Sequence, residues 1–167
     1  GRAVKDLRPA AGTHPLPQHR LAAPIGLCYA GLCCEGLDAD LRHGIRVLSR
    51  ELDRQILPDG GHISRNPQSL VDLLFDLLPL RQIFASRQLD IPEALLRAVD
   101  RMLPMLRLFR HGDGTLTHMN GMGTTAAGHV ATLLTYDDMR SQPIQQAPHS
   151  GYQRLEAGHT LVIADVG

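Results

Sequence analysis

Two stretches of this chain repeat one design. In each, an amphipathic segment runs into an Asp-Gly turn and then into a cluster of imidazole, carboxamide and guanidinium groups. The first reads Leu57-Pro58-Asp59-Gly60-Gly61-His62-Ile63-Ser64-Arg65-Asn66. The second reads Arg110-His111-Gly112-Asp113-Gly114-Thr115-Leu116-Thr117-His118-Met119-Asn120-Gly121. Asp and Gly are what a backbone needs to reverse direction. His, Asn and Arg at similar offsets are not, so they mark candidate chemistry. Helices joined by short turns must pack back on their neighbours, which makes an array of αα-hairpins.

The clearest helical pattern starts at Asp38, a credible N-cap. Leu41, Ile45, Leu48, Leu52 and Ile56 form one apolar stripe, Arg42, Arg46, Arg50 and Arg54 face away, and Pro58 stops the run. Further helices are predicted over 20–35, 67–87, 92–110 and 124–138. Pro79 and Pro104, inside two of them, predict kinks. Residues 1–19 read as an irregular lead-in, 20–140 as the helical segment, 141–151 as a linker with Pro143 and Pro148, and 152–167 as the start of a β domain. That last stretch reads as a turn leading into a buried strand whose partner lies further on. The fold class is therefore mainly α, with a short C-terminal β segment. Alternate helices of such an array run parallel, so the two loops should open on one face and His62 and His118 should share a cleft.

Bulk properties narrow the function classes. A hydrophobic fraction of 43% supports a real core. A formal net charge of zero argues against a nucleic-acid binder with a dominant basic field. Cys28, Cys33 and Cys34 have neither disulfide nor zinc-ligand spacing and read as buried free thiols. No run approaches the ~20 apolar residues that span a bilayer, so no membrane insertion is expected. No cofactor or metal motif is present either.

His62, Arg65 and Asn66 admit two readings. In one, Ser64 or Asn66 caps the helix starting near Pro67. In the other, His62 is an acid or base while Arg65 and Asn66 hold an anion. His111, Asp113, His118 and Asn120 form a second cluster, structural if His111 answers a helix dipole, functional if His118 and Asn120 face one side of an extended stretch. Tyr29 reads as core, His129 as packing and Asp165 as an ordinary strand-end residue. Tyr136 and Tyr152 could reach a cleft if the β segment folds back. Asp59 and Asp113 are the obvious carboxylate pair should the chain be a glycoside hydrolase.

The run Glu51 to Pro67, the run Phe109 to Gly114 with Asn120-Gly121, and the segment Ser150 to Gly158 resemble heparinase II/III-like proteins over roughly residues 25–167. The resemblance implies an (α/α) toroid entering a β-sandwich, and a polysaccharide lyase acting by β-elimination on a uronic-acid polymer, sulfated or not. It implies catalytic roles for His62, Asn66, His118 and Tyr152, and substrate binding by Arg65, Arg110, His111 and Asn120. It also implies an acidic polysaccharide such as a glycosaminoglycan as partner, a periplasmic or cell-envelope setting, no cofactor, and an inactive fragment without the rest of its β domain. The alternative is a non-catalytic carbohydrate-binding or cell-envelope protein on the same fold.

Overall fold

In the computed structural model, residues 6, 7, 9, 20–136 and 142–167 are described. The chain is mainly helical, with α1 (Ala22–Cys33), α2 (Asp38–Gln55), α3 (Pro67–Ser86), α4 (Glu93–Leu108) and α5 (Ala127–Thr135). They are followed by β1 (Gln146–Ala147), β2 (Tyr152–Ala157) and β3 (Thr160–Asp165). Each helix falls within its predicted range, its ends set by fraying termini and capping residues that do not continue the helix. Both α3 and α4 run on through Pro79 and Pro104. Of the predicted irregular lead-in only Asp6, Leu7 and Pro9 are described, and they are helical; residues 137, 138 and 141, assigned to the fifth helix and the linker, lie outside the described residues.

The described chain divides into two units. One comprises residues 1–55 and 76–97, the other 56–75 and 98–167. In the first, α1 and α2 pack closely because glycine removes the side chain at two contacts. A Cβ on Gly31 would lie 2.6 Å from Leu41 Cβ, and one on Gly44 would lie 2.9 Å from Leu27 Cβ and 3.1 Å from the Pro24 carbonyl. Leu27, Cys28, Leu48 and Leu52 are buried in this unit. Burial pushes the Cys28 thiol up to about 12. Cys33 and Cys34 are exposed, correcting the reading of all three as buried. They follow the last buried turn of α1, where the chain bends towards Gly36. Tyr29 is only half-buried, and its hydroxyl donates to the Asp76 carbonyl at 2.8 Å.

In the second unit, the predicted single strand is a hairpin. β2 pairs antiparallel with β3 from Tyr152↔Asp165 to Ala157↔Thr160, and β1 flanks β2 within the predicted linker. The strand expected to be buried is largely exposed: Leu155 and Val162, paired across the hairpin, keep 53% and 47% of their surface. Only the Tyr152 end is buried. Alternation sends successive side chains to opposite faces, and one face carries Tyr152 and Arg154 towards the helical residues. Arg154 Nη1 donates to the carbonyls of Arg107, Leu108 and Arg110 at 3.2, 2.8 and 2.7 Å. It thereby satisfies the open C-terminal end of α4.

Candidate functional site

The two Asp-Gly loops are built alike, position for position. An isolated bridge closes each, Ile56↔His62 and Arg110↔Leu116. Within the bridge, Leu57 N–H donates to Gly61 O and His111 N–H to Thr115 O, both at 2.8 Å. Asp59 Oδ1 accepts from Gly61 N–H and Asp113 Oδ1 from Thr115 N–H. Gly60 and Gly114 follow at φ +87° and +88°. No other residue fits Gly60, since a Cβ there would lie 2.0 Å from the Arg101 carbonyl oxygen.

The equivalence places His62 opposite Leu116, not opposite His111 or His118. His62 is buried, with 2% of its surface exposed. Its Nδ1 accepts from Ser64 N–H at 3.1 Å and lies 2.7 Å from Ser64 Oγ. Burial lowers its pKa to about 4, so the ring is neutral at physiological pH. Asn66 Oδ1 accepts from Gln68 N–H at 2.8 Å, capping α3 with Pro67 in its first turn.

The loops differ in what their second carboxylate oxygen holds. Asp59 Oδ2 accepts from His149 N–H, Ser150 N–H and Ser150 Oγ at 2.8, 2.7 and 3.1 Å. This ties the first loop to the entry of β2. Asp113 keeps to its own turn, accepting from Thr115 Oγ1 at 2.7 Å. Hydrogen bonds from the Thr115 hydroxyl and N–H hold its carboxyl below the usual range.

Between first loop and hairpin lies a polar junction. Tyr152 OH donates to the Arg65 carbonyl, and Asn120 Nδ2 donates to Tyr152 OH, to the Arg65 carbonyl and to Asp165 Oδ2. Arg65 Nε donates to Ser150 O at 2.9 Å, and its Nη2 pairs with Asp165. The Arg65 guanidinium also lies 5.3 Å from the Tyr152 ring centroid, and Phe109 meets that ring edge to face at 4.8 Å. Arg65 and Asn120 both sit at positive φ, 59° and 50°. For a non-glycine residue this conformation persists only where the surroundings over-determine it. Burial raises the Tyr152 pKa, against the opposing pull of the Asn120 hydrogen bond. Burial also acts to raise Asp165, but hydrogen bonds from Asn120 and Gly167 and the Arg65 charge win, and its pKa is lowered.

The structure thus brings His62, Arg65, Asn66, Asn120 and Tyr152 together and leaves His118 exposed and His111 and Arg110 at the rim of the second turn. Gly61, His62, Arg65, Asn66, Met105, Phe109 and Tyr152 line a crevice too tight to hold even a water molecule. Ligand pockets run ~300–1,000 Å³. His118 is not among the residues lining this crevice. Asp165 is a member of the junction and not an ordinary strand end. Sequence reading missed Asp59, Ser150 and Arg154 as the residues joining loop, helix and sheet. Only the repeated Asp-Gly turn hinted at Asp59. Among the described residues no group of three or more His, Cys, Asp or Glu is placed to hold a metal ion, and no helix is long and apolar enough to cross a membrane.

What this geometry defines is a helical scaffold with a cross-linked loop-and-sheet junction, its imidazole and phenol engaged in internal hydrogen bonds. The chain is 37% identical over 153 residues to FtsZ-localized protein C of Caulobacter vibrioides, a match covering 90% of this chain. It spans about a quarter, 27%, of that relative's length. No known family's sequence profile matches the chain, and no solved structure matches it. These findings overturn the heparinase II/III-like resemblance, and with it the β-eliminating lyase, the carbohydrate-binding alternative and the acidic polysaccharide partner. The short motifs that suggested it are turn chemistry, Asp-Gly followed by capping Ser and Asn, which any helix-ending loop can carry.

Proposed function

We propose that this chain is a segment of a cell-division-associated protein that localises with FtsZ. The observation that carries this is the 37% identity to FtsZ-localized protein C, sustained over 90% of the chain. The geometry supports a binding role: the crevice at His62 has no room for a substrate, and the junction residues Arg65, Asn120 and Tyr152 hold one another. In this reading His62, Asn66 and Tyr152 hold the first loop and the hairpin in place, while His118 is an exposed group of the second loop and Arg110 and His111 are half-buried beside it. We also propose that the helices belong to a longer αα-hairpin array of the toroid kind, and that 152–167 open a larger β domain. The two equivalently built loops and the exposed Leu155 and Val162 support this.

The test is microscopy. A fluorescent fusion of the protein carrying this segment, imaged with labelled FtsZ, should coincide with FtsZ at the division site. A diffuse signal in cells whose FtsZ assemblies are normal would overturn the proposal.

A further inference from the structure

We propose that Arg110 binds an oxyanion, a carboxylate or a phosphate monoester, at the second Asp-Gly turn. Arg110 is half-buried just beyond α4, its backbone bridged to Leu116. Its side chain lies along the turn that follows, where a Cβ on Gly114 would sit 3.2 Å from Nη2 and 3.8 Å from Nε. Nε is the one buried side-chain nitrogen or oxygen without a hydrogen-bond partner among the described residues. A guanidinium drawn partly out of water normally meets a counter-charge or carbonyl oxygens.

Other arginines obey that rule. Arg65 meets Asp165, Arg87 meets the Leu32 carbonyl, and Arg154 meets Glu156 and three carbonyls. Arg110 meets no carboxylate among the described residues. The acid of its own turn, Asp113, is folded onto Thr115. A Cβ on Gly114 would also lie 3.9 Å from Ala127, the first residue of α5, whose N-cap Ala126 supplies no side-chain hydrogen bond. The partial positive charge of that helix end adds to the guanidinium. At Gly112 the turn itself is open, since a Cβ there would meet nothing within 4 Å. The planar guanidinium fork matches carboxylate and phosphate oxygens.

The test titrates the 167-residue chain with inorganic phosphate or with succinate against sodium chloride at equal ionic strength. Amide shifts and the thermal midpoint are followed. Saturable shifts centred on residues 111–115, with a rise in midpoint, are expected. Arg110→Gln should weaken binding at least about tenfold, and Arg110→Lys, which keeps the charge but loses the fork, should weaken it less. Arg42→Gln, on the exposed face of α2, should bind as the parent does. A preference for phosphate assigns the site to phosphate monoesters, and one for succinate to carboxylates. Shifts that do not saturate, or that survive in Arg110→Gln, overturn the proposal. Should Arg110→Gln fail to fold, full-strength binding by Arg110→Lys would do the same.

Discussion

At the scale of single residues, His62 shows how a reactive side chain can serve as structure. Its imidazole is neutral, buried and an acceptor for Ser64 N–H, so a proton on it opposes the fold. The folded pKa, about 4, lies below the ordinary 6.5. Between those values the unfolded chain binds more protons than the folded one. The contribution of His62 is therefore complete above about pH 6.5 and lost as pH falls towards 4. A shift of this size corresponds to something on the order of 3 kcal/mol. Denaturant titrations of the wild type and His62→Gln at pH 7.5, 5.5 and 4 should converge as pH falls. Parallel pH profiles would remove the imidazole from the explanation.

At the scale of elements, two loops with the same backbone do different work. Each Asp holds its own turn, but Asp59 alone also holds the backbone entering β2. Removing it leaves the N–H groups of Gly61, His149 and Ser150 without their acceptor, where hydrogen bonds to a charged group contribute ~1.5–3 kcal/mol each. Asp59→Ala is accordingly expected to lose about 2–4 kcal/mol, and Asp113→Ala clearly less. Equilibrium urea unfolding of both variants checks this asymmetry. Equal losses would mean that the tie to β2 adds nothing. The turn itself was legible in the sequence, since Asp-Gly states a backbone requirement. Its second role was not, because Ser150 lies far along the chain and no local pattern couples the two.

For the whole molecule, burial sorts the three cysteines. Cys28 lies within the α1–α2 packing, whereas Cys33 and Cys34 are exposed. A thiol reagent should label two sites at once in the native protein and the third only at the rate of unfolding. Rapid labelling of all three would show that the α1–α2 contact opens readily.

By itself the sequence determined the local order of this protein: five helices among the described residues, the Asn66-Pro67 start of α3, and two Asp-Gly turns. Each follows from hydrophobic period, capping or turn chemistry within a few residues. Its β segment was legible as strand but not as hairpin, because the stretch expected to be a turn is itself strand β2, and its pairing with β3 leaves Leu155 and Val162 exposed. Only the tertiary structure decided which polar side chains meet. Arg65, Asn120, Tyr152 and Asp165 come from separate stretches and are joined by bonds their own neighbours do not predict. Tertiary packing also withdrew His62 from water while leaving His118 in it. Solvent exposure depends on what the rest of the chain places over a residue, and that is not written beside it.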